Sequence, residues 1–186
     1  MQSEIEDEGM TVENILDHDE DVIALKKNFH DSNLLFFKYL DQITVQISPS
    51  QILSVSKFLL KERNFKQLSF LAGVDCLELN QEYRFKVVYS LLDFERSKRI
   101  RLEVICESDL IPSVPSVCSV WAGANYHESE AFDLVGIHFE GHPNLERIFT
   151  PEEFEGFPHR KDFDVSSETV EFSFRPTPDG KPSAKE

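Results

Sequence analysis

The chain has 186 residues, 40% of them hydrophobic and including 16 Phe, 4 Tyr and 1 Trp, which is enough for one domain with an aromatic-rich core and hardly enough for two. Lys and Arg total 19 against 34 Asp and Glu, and the net charge of −15 argues against nucleic acid and anionic bilayers, both of which need clustered cations. No apolar run approaches the roughly 20 residues of a membrane span, the acid-rich start is not expected to be a secretory or transit signal, and three irregularly spaced Cys fit a reducing compartment.

The first 21 residues hold nine acids and no Lys or Arg. Such a block offsets its ordering entropy poorly, so residues 1–21 are expected to be an acidic, mobile N-terminal segment, with at most a weak helical turn at Val12, Ile15 and Leu16. Residues 22–150 are assigned to a single α/β (α+β) domain: a mixed, largely antiparallel sheet packed by helices. Its first firm strand is Ile43–Ile47, with Ile43, Val45 and Ile47 on one face. Ser48-Pro49-Ser50-Gln51 reads as a helix start, with Ser48 as N-cap, Pro49 at the first helical position and Gln51 closing a capping box. The helix is expected to end near Asn64.

Alternation then predicts strands over 68–74, 83–91 and 100–106, the last two joined as a hairpin at Glu95–Lys98. Pro112 and Pro115 are expected to end the sheet. From Ser116 the apolar spacing turns helical through Val117, Val120, Trp121, Ala124, Glu128, Ala131, Phe132 and Val135, with Gly136 as the residue past the helix end. Residues 151–186 are irregular. The Phe154–Phe163 stretch and the alternating Val170, Phe172 and Phe174 suit an extended tail laid on a partner.

Chemical motifs are sparse. No Gly-x-Gly supports a dinucleotide fold, and Gly136 and Gly141 have phosphate-loop spacing but are followed by His142-Pro143 rather than Lys-Ser/Thr. No Cys-x-x-Cys supports an iron–sulfur cluster, and Cys76, Cys106 and Cys118 read as small core residues. His127, His138, His142 and His159 meet the ligand count for zinc but not a converging pattern. No cofactor or metal is expected. Glu128 is the one anomaly, a carboxylate on the apolar stripe of its helix. It is read as structural, held by Arg147 or Arg160, with general acid–base catalysis as the competing reading. Glu130 and Asp133, on the other face, read as a solvated acidic edge.

The stretch Ala124–Pro143 resembles the signature of the C subunit of respiratory NADH:quinone oxidoreductase (complex I), the 30 kDa subunit family. Glu128, Glu130, Asp133, Gly136, Ile137, Gly141, His142, Pro143, Arg147 and Ile148 match its pattern, and Gly156, Pro158, Arg160, Lys161 and Asp162 fall in its second block. Val74-Asp75, Phe85-Lys-Val-Val-Tyr-Ser-Leu91, Val114-Pro-Ser116 and Trp121 fit the same template. Ser129, Glu146, Tyr126 and Asp164 depart from it, the first two replacing basic residues and the others Trp and Pro. The resemblance implies a cofactor-free structural subunit in the hydrophilic arm of a proton-translocating complex. It would pack against the hydrogenase-like D subunit and the cluster-bearing B subunit, peripherally on the cytoplasmic side of a bacterial inner membrane. Flavin and iron–sulfur clusters would sit in partner subunits. Two alternatives are the equivalent subunit of a membrane-bound hydrogenase or reduced-deazaflavin dehydrogenase, and a stand-alone enzyme using Glu128 with a His.

Overall fold

A computed structural model describes residue 16 and residues 18–30, 32–39, 42–79 and 82–164. Its elements are α1 (Glu20–Asn28), β1 (Leu35–Tyr39), β2 (Gln42–Ile47), α2 (Ile52–Glu62), β3 (Gln67–Asp75), β4 (Phe85–Asp93), β5 (Lys98–Ile105), β6 (Ser113–Pro115), α3 (Ala124–Val135) and β7 (His138–Glu140). The main sheet has the order β1-β2-β5-β4-β3. Only the β2–β5 pair is parallel, so the mixed, largely antiparallel sheet expected from the alternation is observed.

Period-2 alternation decides which face is covered. Phe85, Val87, Tyr89 and Leu91 of β4 and Ile100, Leu102 and Val104 of β5 are buried, and the residues between them are half-buried or exposed. The buried face receives Val22 and Leu25 of α1, Ile52, Val55 and Leu59 of α2, and Ala124 and Ala131 of α3. Gly73 of β3 lets α3 approach. A Cβ there would meet Ile137 Cδ1 at 2.8 Å and the Cβ atoms of Ala131 and Val135 at 3.4 Å.

Several expectations are corrected. The predicted capping box does not form: Ser48 makes no cap bond, and Pro49–Gln51 is a short 3-10 turn ahead of α2. Neither β1, an apolar run without period-2 alternation, nor the short helix α1 was anticipated. Asp19, counted with the acidic segment, caps α1 by accepting the Asp21 and Val22 N–H groups. Asp21 is fully buried and takes Arg63 at 2.6 Å, Arg96 at 3.1 Å and Lys98 at 2.5 Å. The prolines at 112 and 115 do not end strand pairing, because Ser113–Pro115 pairs in parallel with His138–Glu140 in a second, two-stranded sheet.

The last helix starts at Ala124, not Ser116. Val117 to Glu128 along a helix would span roughly 16 Å, yet the Val117 N–H donates to Glu128 Oε1 at 2.8 Å. The chain at 117 therefore doubles back along the flank of α3. Gly136 does end the helix, with φ +81° and its N–H on the carbonyls of Ala131 and Phe132.

Candidate functional site

The signature residues form two adjoining clusters, one on each side of α3. In the first, Glu128 is fully buried. Its Oε1 accepts the Val117 N–H, and its Oε2 accepts from Cys118 Sγ at 3.4 Å and lies 4.0 Å from His142 Nε2. Arg147 and Arg160, the predicted partners, are both elsewhere. That expectation is overturned, because each guanidinium is consumed by another acceptor. Burial pushes the Glu128 carboxyl above its ordinary value, against the hydrogen bonds from Ser116, Val117 and Cys118.

His142 is equally enclosed. Its Nδ1 accepts the Asn144 N–H at 3.1 Å, and its Nε2 faces the Asn125 carbonyl at 3.1 Å. A backbone N–H on one nitrogen and a carbonyl on the other leave only the neutral tautomer protonated on Nε2. Cys118, Glu128 and His142 present potential ligand atoms within 4.8 Å of one another, a spacing open to a metal ion. The nitrogen that faces the group is nevertheless a donor, and hydrogen bonding accounts for all three side chains. Burial first, then the neighbouring Glu128, pushes the Cys118 thiol up to about 11, so it is not a ready nucleophile. Tyr89, fully buried on β4, is close enough to feel Glu128 and Cys118, and its hydroxyl finds no partner among the described residues.

The second cluster forms around Asp133, which is fully buried rather than on a solvated edge. Its Oδ2 accepts three successive backbone N–H groups, from Ile148 at 3.0 Å, Phe149 at 2.7 Å and Thr150 at 2.9 Å. Its Oδ1 accepts from the Thr150 hydroxyl and, at 3.0 Å, from Arg147. These bonds overcome the effect of burial and hold the carboxyl below its usual range. Glu130 is the half-exposed residue expected, 3.9 Å from His127.

Arg147 continues to the Gly156 carbonyl and lies 5.4 Å over the Phe157 ring. Arg160 donates to the Val135 carbonyl at 2.7 Å and is sandwiched by Phe157 at 4.3 Å and Phe85 at 4.9 Å. The Lys161 N–H and Arg84 both reach the buried Asp75, and Asp162 pairs with Arg84 at 2.6 Å. Residues 151–164, assigned from sequence to a partner-docking tail, are thus fastened to this chain's own helix end and sheet. Val170, Phe172 and Phe174 lie outside the described residues. Gly141 sits at φ +78° and Gly156 at φ +93°, while Pro143 is exposed and Pro158 half-buried. Sequence reasoning missed Tyr89, Ser116 and Cys118 as members of the Glu128 cluster, and Arg84 as the partner of Asp75. Ser116, Asp75 and Tyr89 fall in blocks that fit the family template, whereas Arg84 carries no local signal.

The model for the respiratory-chain NADH dehydrogenase 30 kDa subunit matches residues 45–169. The chain belongs to that family. It is 43% identical over 152 residues to the C subunit of NADH-quinone oxidoreductase from Roseiflexus sp. (strain RS-1), a match covering 81% of this chain and 86% of that one. The same subunit of Roseiflexus castenholzii is 42% identical over 161 residues, covering 86% and 91%. Among solved structures, a trypsin-resistant fragment of Nqo5 superposes with a TM-score of 0.58 at 26% identity, over 67% of this chain and 99% of the fragment. A chain of an archaeal membrane-bound sulfane sulfur reductase shares the fold, with a TM-score of 0.63 at 22% identity over 80% of this chain and 88% of that one.

Proposed function

We propose that this chain is the 30 kDa-type C subunit of a proton-translocating NADH:quinone oxidoreductase, acting in its hydrophilic arm as a structural subunit without a cofactor of its own. The observation that carries the reading is the 43% identity to the C subunit of NADH-quinone oxidoreductase across 81% of the chain. Its partners in this reading are the hydrogenase-like D subunit and the cluster-bearing B subunit. No helix among the described residues is long and apolar enough to cross a membrane, which suits attachment through those partners on the cytoplasmic side.

The chemistry of the Glu128 cluster supports a structural role over a stand-alone enzyme. Both His142 nitrogens are engaged, and the Cys118 thiol is held protonated. The test is affinity purification of the tagged chain from membranes solubilised in mild detergent, with mass spectrometry, visible absorbance and NADH:quinone reductase assays. Co-purification with flavin- and quinone-site subunits and with that activity is the expected result. Recovery with hydrogenase or sulfur-reductase subunits, or alone with bound flavin, iron or zinc, would overturn it.

A further inference from the structure

The outer face of the main sheet is half-buried or exposed along β4 and β5, and its charge there is opposite to that of the chain. The Arg99 side chain is exposed and has no hydrogen bond or ion pair among the described residues. Among the described residues the Arg101 side chain, on the same face of β5, bonds only to Gln42 Oε1 at 2.8 Å, and its Nε is enclosed without a partner there. By contrast, Arg63, Arg84, Arg96 and Arg147 all sit on carboxylates. The nearest acid on the face, Glu103, is neutralised by Lys86 at 2.9 Å. In a chain of net charge −15, two neighbouring arginines without a carboxylate are conspicuous.

Apolar surface adjoins them. Register places Phe37 opposite Thr44, and Thr44 beside Arg101. Leu35 and Phe37 are 52% and 49% exposed, although they point out from a sheet rather than from a loop. At the Ile105 end of the face lies a depression of about 260 Å³, lined by Asn33, Leu35, Gln46, Pro49 and Ile105, with the carboxylate of Glu107 on its wall away from Arg101. Ile105 and Arg101 are separated by roughly 13 Å of strand.

We propose that this outer sheet face is a docking surface for another subunit of the assembly, which presents an acidic amphipathic segment. One of its apolar side chains fills the depression beside Leu35 and Ile105, and its carboxylates engage Arg101 and Arg99. Arginine with aromatic and aliphatic neighbours is the composition favoured at interface centres, and a guanidinium forms its strongest contacts with carboxylates. The proposal rests on the reading of the chain as a subunit, and deepens it by naming the face.

The experiment uses the tagged full chain in its native membranes. The photo-crosslinking residue p-benzoylphenylalanine replaces Phe37 or, separately, Ser90, and crosslinked peptides are identified after purification. A peptide from another subunit, with Asp or Glu within a few residues of the crosslink, is the expected product. Its yield should fall at least five-fold when Arg99→Glu is added, and the exposed-surface control Lys57→Glu should leave it unchanged. Arg101→Gln, which keeps the side chain's bulk, should lower it several-fold, with unchanged melting temperature as the check on folding. Crosslinks only to residues 1–15 of the same chain, only to a second copy, or none in a complex that still assembles would each overturn the docking face. So would a yield insensitive to Arg99→Glu. A wild-type chain that purifies with no other subunit would instead sink the subunit reading itself.

Discussion

Arg147 pairs with Asp133 and not with Glu128: its Nη1 lies 3.0 Å from Asp133 Oδ1. The two carboxylates are five positions apart on α3, and both are fully buried, but they are stabilised in opposite ways. Asp133 is ionised within a nest of backbone N–H groups and a guanidinium. Glu128 has neutral donors and an uncharged imidazole around it.

Asp133 organises the segment after the helix, because three of its acceptor bonds go to consecutive residues 148–150. Asp133→Asn removes the charge and turns one acceptor into a donor facing an N–H or the guanidinium. A loss of about 2–4 kcal/mol is expected in urea unfolding, since bonds to a charged group contribute more than neutral ones and Arg147 is left stranded. Glu130→Ala, at a half-exposed position, should stay within about 0.5 kcal/mol.

The two carboxylates also predict opposite pH dependences. Asp133 has its folded pKa lowered, so its contribution is present above the ordinary carboxylate pKa and is lost as pH falls through the depressed value. Glu128 has its folded pKa raised by burial, so the advantage of its protonated form is complete at low pH and fades as pH rises through the raised value. Glu128→Gln should flatten the decline of melting temperature on the alkaline side of the ordinary carboxylate range, leaving the acid limb in place. A thermal melt series across pH checks both limbs, and an unchanged alkaline limb in Glu128→Gln would refute the assignment.

Gly136 and Gly141 separate backbone strain from crowding. Both have positive φ, which costs a residue with a Cβ roughly 1–2 kcal/mol. A Cβ on Gly141 meets nothing within 4 Å, whereas one on Gly136 would lie 2.6 Å from Arg160 Nη2 and 2.7 Å from the Phe157 ring. Gly141→Ala should cost only the strain. Gly136→Ala should cost about 2–5 kcal/mol in total by adding overpacking, and should expose residues 151–164 to limited proteolysis.

Asp21 ties α1 to the domain through three cations drawn from the end of α2 and the β4–β5 turn. Asp21→Ala leaves Arg63, Arg96 and Lys98 facing one another. The cations are partly hydrated, so the expected loss is about 2–4 kcal/mol, below that of a fully buried pair. Protection of α1 amides in hydrogen exchange should fall together with global stability.

The sheet was legible in the sequence because β4 and β5 alternate strictly over eight or nine residues, and such a pattern survives without any knowledge of neighbours. Gly136 was legible as a helix stop for a local reason, its left-handed backbone. Partner choice was not legible. Three- and four-residue spacing put Glu128 on the buried stripe correctly, but the same spacing from Val117 to Trp121 suggested helix where a turn is locked by a bond across eleven residues. Asp133 was misjudged because its burial comes from the segment 147–150 folding over it, and nothing on its own helix announces that cover. Asp21 likewise looked like one more acid in a run of acids, since its three cations lie 42 to 77 positions downstream.

The parallel pairing of β2 with β5 has a consequence for biosynthesis. On the edge of β2 away from β1, Ile43, Val45 and Ile47 pair with Ile100, Leu102 and Val104. A nascent chain emerging from the ribosome therefore exposes the inner edge of β2 while α2, β3 and β4 are still being made. A β1–β2 ribbon is marginal alone, and an open apolar edge invites pairing with another chain. The order of synthesis leaves the β2–β5 pairing at the centre of the sheet to wait for residues more than fifty positions downstream of β2, and such non-local pairing slows folding in general.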